Sequence, residues 1–326
     1  MRYGTIGTGW ITQSFIEGTG LIENFELHAI YSRTQEKAQA FAKNMGAALA
    51  FSDLEAMAAS PEIDAVYIAS PNALHYTHSK LFLEAGKHVL CEKPLTATPG
   101  EAEELMALAR SKNLVYLEAI MMLHMPQLKL LEEALPRIGP VHTARFDYSQ
   151  RSSKYPAYLA GDTPNIFNPK LATGCLMDLG VYCVYPALHL FGQPEEIITT
   201  AGLLRTGSDG YFNSLFIYPE LQVNISGSKI GQSRLGTEIL GDEGTLVIDS
   251  ISKLTNMKIV YNDGRTESIY GEDEKPVLMK GEAVDFRNYI LDPNRFAAEY
   301  AYAQRLALEV SRTMERMREQ AGIHFG

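Results

Sequence analysis

Short apolar segments alternate with helical patterns through residues 1–120, and that alternation leaves few folds open. Strands are expected at Arg2–Ile6, Glu26–Ser32, Ala47–Phe51, Ala65–Ala69, Lys87–Cys91 and Leu114–Leu117. Helices are expected between them at Trp10–Gly18, Gln35–Met45, Leu54–Ala59 and Ala73–Ala85. Thr98-Pro99-Gly100-Glu101 opens another, with a capping threonine, a first-turn proline and a glutamate three residues past the cap. Near-continuous apolar strands in βα alternation predict an α/β, doubly wound parallel sheet covered on both faces.

The texture changes near residue 120. After a helix at Gln127–Leu135, alternating strands dominate, broken by an apolar helix at Cys175–Phe191 and a charged amphipathic one at Arg295–Met317. Residues 1–120 are therefore read as a doubly wound first domain, and 121–326 as an α+β second domain. A formal charge of −10 argues against nucleic acid or an anionic membrane as the main partner. Cys91, Cys175 and Cys183 lack C-x-x-C spacing, which suggests buried thiols, a reducing compartment and no metal site. No leader is visible before Arg2, and no apolar run is read as long enough for a membrane span, so a soluble, cytoplasmic protein is expected.

Gly7-Thr8-Gly9-Trp10-Ile11-Thr12 follows the first strand, where glycines let the backbone approach a pyrophosphate at a helix N-terminus. Thr12 stands where the pattern asks for Gly or Ala. The second strand ends in Ser32-Arg33 with Lys37 one turn later, and no acid is there for a ribose 2′-hydroxyl. A hydroxyl and two cations suit a 2′-phosphate, so NADP is expected, with NAD possible; the alternative is two solvated surface charges. Ser70-Pro71-Asn72 with His75, and Glu92-Lys93-Pro94, end strands four and five on the edge where such sheets bind ligands. Asn72 as a helix cap and Glu92–Lys93 as a surface pair are the plainer readings. In the second domain, Asp178 and Tyr182 lie four apart on one helical face, and a buried carboxylate there needs a partner. Lys93 is the expected partner.

Gly7–Ile11, the run DAVYIASPNALHYTHSKLFLEAGKHVLCEKP (Asp64–Pro94) and Gly174–Tyr182 together resemble the glucose–fructose oxidoreductase/inositol dehydrogenase (Gfo/Idh/MocA) family. The resemblance implies a Rossmann domain, a C-terminal domain with a large mostly antiparallel sheet, and hydride transfer on a sugar, polyol or related hydroxyl substrate. It puts Lys93 on the family's catalytic lysine, with a cis Lys93–Pro94 bond, and Asp178 on the family aspartate. Tyr182 stands where many inositol-dehydrogenase-like members have histidine. That implies kinship with the tyrosine-acid members, such as dimeric dihydrodiol dehydrogenase and NADP-dependent xylose dehydrogenase, and argues against an inositol substrate.

The mechanism expected on that basis makes Tyr182 the proton donor and acceptor, with Lys93 favouring its phenolate and Asp178 orienting Lys93 or the substrate hydroxyl. Tyr155, Asn165 and Phe167, in the loop Ser149–Lys170, are the candidate contacts for a sugar, polyol or dicarbonyl. The segment YFNSLFIY (Tyr211–Tyr218) is apolar on both alternating faces, which predicts a homodimer or a dimer of dimers. The rival function is a non-catalytic dinucleotide-sensing regulator of the same fold.

Overall fold

The computed structural model describes residues 1–271 and 274–325. Its first sheet takes β1 (Arg2–Ile6), β2 (Glu26–Tyr31), β3 (Leu49–Phe51), β4 (Ala65–Ile68), β5 (His88–Glu92) and β6 (Tyr116–Ala119) in the order 3-2-1-4-5-6. All its pairs are parallel. Crossovers run through α1 (Trp10–Thr19), α2 (Gln35–Met45), α3 (Leu54–Ala59), α4 (His75–Glu84) and α5 (Pro99–Ser111). Every residue of β4 is buried, as a strand covered on both faces requires. The Thr98–Glu101 capping box forms as its sequence demands. Strand order reverses between β1 and β4, the switch point at which sheets of this kind bind ligands.

The second sheet is preceded by α6 (Pro126–Ala134) and starts with β7 (Val141–Ser149). α7 (Tyr155–Leu159), a π-helical turn at Leu176–Gly180 and α8 (Val181–Phe191) follow. Then come β8 (Glu196–Leu203), β9 (Asp209–Ile217), β10 (Gln222–Ser228), β11 (Thr237–Gly241), β12 (Gly244–Ile248), β13 (Met257–Tyr261) and β14 (Thr266–Ile269). The order is 14-13-12-11-7-10-9-8, antiparallel throughout except for the β7–β10 pair. Val181, Cys183, Val184, Tyr185, Ala187 and Leu188 bury α8 among this unit's apolar residues. The segment Pro169–Phe191 is in fact long and apolar enough to cross a membrane, contrary to the sequence reading. Because 78% of its most apolar window is buried inside the fold, core packing accounts for that composition.

α9 (Lys275–Leu291) and α10 (Ala297–Gln320) complete the chain. Two compact units result, Met1–Met125 with Glu274–Leu308, and Pro126–Asp273 with Glu309–Gly326. A single boundary near residue 120 therefore does not describe them. α9 returns to the first unit because Gly18 lets its backbone lie against α1: a Cβ at Gly18 would stand 2.5 Å from the Pro276 carbonyl oxygen. Arg287 also donates to the Glu23 carbonyl at 2.8 Å. Sequence periodicity missed α9 because Gly281 and the buried Glu282 interrupt its apolar stripe.

Candidate active site

In the first unit, Gly7 turns the chain out of β1 with φ +117°, and a Cβ there would lie 2.7 Å from the Ala69 carbonyl oxygen. Only glycine fits that conformation and that approach. Gly9 precedes α1 with open space beside it, no side chain caps the helix, and no acid lies in its first turn. Thr12, in the position the pattern reserves for a smaller residue, is fully buried, and its hydroxyl has no hydrogen-bond partner among the described residues. An uncapped helix N-terminus beside a close glycine turn fits a dinucleotide pyrophosphate. Thr8 lies within this turn, Ile11 in the first turn of α1, and Trp10 there is 71% exposed. Ser32 is buried at the tip of β2, whereas Arg33 and Lys37 are exposed around the start of α2.

β1, β4 and β5 end in register, Ile6 beside Ile68 and Ile68 beside Cys91, so the glycine turn, Ser70–Asn72 and Lys93 share one edge. Asn72 does not cap α4; Leu74 holds that position, and Asn72 opens a short 3₁₀ turn ahead of it. His75 is completely buried, with Nδ1 2.8 Å from the Pro94 carbonyl oxygen and Nε2 2.9 Å from that of Ser70. The Lys93–Pro94 bond is cis. Lys93 itself is half-buried, and its neighbours on both sides are fixed. Tyr67 donates its hydroxyl proton to Glu92 at 2.5 Å, and the Leu95 N–H donates to the buried Glu118 at 2.8 Å. Burial raises the Glu92 pKa, opposed first by the Lys93 charge and then by the Tyr67 bond. Glu282 of α9, which sequence reasoning did not single out, is buried, and burial followed by the Glu92 charge raises its pKa well above the usual range.

In the second unit, Asp178 lies in the π turn and Tyr182 in the first turn of α8, with the Tyr182 ring edge-on to Tyr148 at 5.5 Å. Pro186 inside α8 removes the N–H that would bond the Tyr182 carbonyl in a regular helix. Asp209 holds the start of the turn by accepting from the Leu176 N–H at 2.6 Å. Burial raises the Asp209 pKa to about 6, against the Leu176 bond that lowers it. Gly174 makes room for this arrangement, since a Cβ there would stand 1.8 Å from Asp209 Oδ1.

The Asp178 carboxylate forms an ion pair with Lys229 within this unit, a partner that the sequence reading, which looked to Lys93, did not name. Lys229 is just past the end of β10 and 4% exposed, so its ammonium needs that acid. The sequence did hold a signal, for Lys229 is the only cation from Thr206 to Ser233. The expected substrate contacts divide. Tyr155 is half-buried under the Arg151 guanidinium, and Asn165 is exposed. Phe167 has no exposed surface and is enclosed by Tyr155 and Tyr158, with ring centroids 6.2 and 5.3 Å away. It is a core residue, not a contact.

Residues 1–119 match the family model described as "Oxidoreductase family, NAD-binding Rossmann fold", and 134–247 match the GFO/IDH/MocA C-terminal domain. The chain is 42% identical to scyllo-inositol 2-dehydrogenase (NADP(+)) of Bacillus subtilis, over 100% of its own length and 98% of that protein's. It is 30% identical to trans-1,2-dihydrobenzene-1,2-diol dehydrogenase of Mus musculus, covering 67% of this chain and 65% of the relative. The solved structure of a 3-ketoreductase from Actinomadura kijaniata with NADP and TDP-benzene superposes with a TM-score of 0.84 at 24% identity, covering 98% of both chains.

Proposed function

The chain belongs to the Gfo/Idh/MocA oxidoreductase family, and from that premise we propose that it is an NADP-dependent dehydrogenase of a sugar or polyol, a cyclic polyol first. Full-length 42% identity to a scyllo-inositol dehydrogenase is the observation that carries this reading. It supports an inositol substrate more than the sequence reading of Tyr182 did. The glycine turn and the uncapped α1 would hold the pyrophosphate, and Arg33 with Lys37 the 2′-phosphate. Bound NADP would supply the hydride acceptor for oxidation of a carbinol carbon.

Among the chain's own groups, Tyr182 takes the hydroxyl proton during oxidation and returns it during reduction. The Lys93 ammonium, aimed by the pinned residues around it, donates to the substrate hydroxyl oxygen and favours its ionised form. Asp178 orients the Tyr182 end of the substrate. Exposed Ile198, Leu203 and Tyr211 on β8 and β9 support pairing with a second copy of the chain. Three free, buried cysteines accord with the cytoplasm.

The test is NADP reduction with a panel of inositols, aldoses and dihydrodiols, using wild type and Tyr182→Phe. Turnover of a polyol, lost in Tyr182→Phe while NADP still binds, supports the assignment. Tight NADP binding without turnover of any member favours the dinucleotide sensor.

A further inference from the structure

Lys229 lies outside every motif that marks this fold, yet two separate segments meet at its side chain. Its ammonium pairs with Asp178 of the π turn. It donates to the Ile166 carbonyl at 3.2 Å, and it stands 5.9 Å from the centroid of the Phe167 ring. Its backbone is fixed as well: the Lys229 N–H donates to the Gly210 carbonyl, and its own carbonyl accepts from Ser152, both at 2.8 Å. The head group therefore has little freedom to choose other partners.

Ile166 lies between Asn165 and Phe167 in a 3₁₀ turn, and Asp178 is four residues before Tyr182. One cation thus fixes the loop expected to meet substrate and the segment carrying the acid. Stability alone does not call for such a cation, because apolar residues commonly replace a buried ion pair without loss. We propose that Lys229 is a positioning residue of the dehydrogenase site, holding the Asp178 carboxylate and the Asn165–Phe167 turn in place against the helix that carries Tyr182. The proposal rests on the reading given under Proposed function.

Lys229→Met keeps the length of the stem and removes the charge. The expected result is a kcat loss of roughly 10²-fold with a raised polyol KM, the order of effect produced by misplacing a catalytic group by about an ångström. NADPH affinity, read from the emission of Trp10, the single tryptophan, is expected to stay within about twofold of wild type. Lys229→Arg keeps a cation for Asp178 and is expected to restore most of kcat. In Lys229→Met/Asp178→Asn, where neither member of the pair is charged, the melting temperature is expected to recover at least half of the loss seen in Lys229→Met.

A Lys229→Met variant with wild-type kcat and KM overturns the positioning role while leaving the dehydrogenase reading intact. A double variant that melts no higher than Lys229→Met overturns the pairing on which that role depends. Wild-type protein that turns over no polyol overturns the reading beneath it, and the proposal with it.

Discussion

The imidazole Nδ1 of His75 stands 2.8 Å from the Pro94 carbonyl oxygen. The ring lies between the turn that follows Lys93 and the neighbouring strand end, whose Ser70 carbonyl oxygen is 2.9 Å from Nε2, and in its neutral form it donates its single N–H to one of the two carbonyls. Burial lowers the His75 pKa to about 4, so the ring is neutral in the folded protein at pH 7. In the unfolded chain a histidine takes its proton near pH 6.5. The unfolded state binds more protons between these values, so His75-linked stability is full above pH ~6.5 and is lost as the pH falls toward 4. Urea melts of wild type are expected to show about 3 kcal/mol from this source over that window, and His75→Ala to lack it. The same variant is expected to weaken NADPH binding, because the buried ring no longer packs between the Ser70 and Lys93–Pro94 turns.

Asp209 works in the opposite direction. Its folded pKa of about 6 lies above the unfolded value of about 3.9, so its stability contribution is full at low pH and declines as the pH rises from about 4 to 6. Asp209→Asn retains an oxygen to accept from the Leu176 N–H and carries no charge. It is expected to remove the decline, so that the variant gains stability relative to wild type between pH 4 and pH 7. Urea melts at four pH values measure the difference.

Gly174→Ala would place a methyl group 1.8 Å from Asp209 Oδ1. Either the carboxylate moves off the Leu176 N–H or the backbone shifts, and overpacking of this kind costs about 1–3 kcal/mol. A lowered melting temperature is expected, together with lost polyol turnover. An unaltered melting temperature would mean that the site has slack which this packing does not show.

Arg33→Ala removes the guanidinium at the tip of β2. Loss of a charge-assisted contact with the 2′-phosphate is worth about 1.5–3 kcal/mol, so NADP affinity is expected to fall roughly 10- to 100-fold while NAD affinity hardly changes. Fluorescence titration with the two reduced dinucleotides measures the split, and equal losses for both would place Arg33 elsewhere on the cofactor.

The first sheet was legible because both signals coincide there: βα alternation gives the parallel order, and glycine and proline mark the turns at strand ends. Lys93 and its neighbours could be picked out for the same reason, since strand position alone assigns them to the binding edge. Two things escaped. α9 has Gly281 and a buried acid on its inner side, so its apolar period is blunted, and only the fit of Gly18 against Pro276 explains where it packs. The pairing of Asp178 with Lys229 escaped because Lys229 is 51 residues away along the chain, and register between distant strands is not written in local pattern. Isolated charges in apolar surroundings are the cue that would have joined them.

The π turn at Leu176–Gly180 also makes the spacing of the site depend on the length of one helical segment. Such a turn holds one residue more than a regular helix. Deleting a residue between Gly174 and Gly180 would let the segment relax to 3.6 residues per turn and change the direction in which Asp178 leaves the helix, and with it the ion pair to Lys229. Gain or loss of a single codon, with every side chain retained, is therefore a route by which a chain of this fold can re-aim its acid.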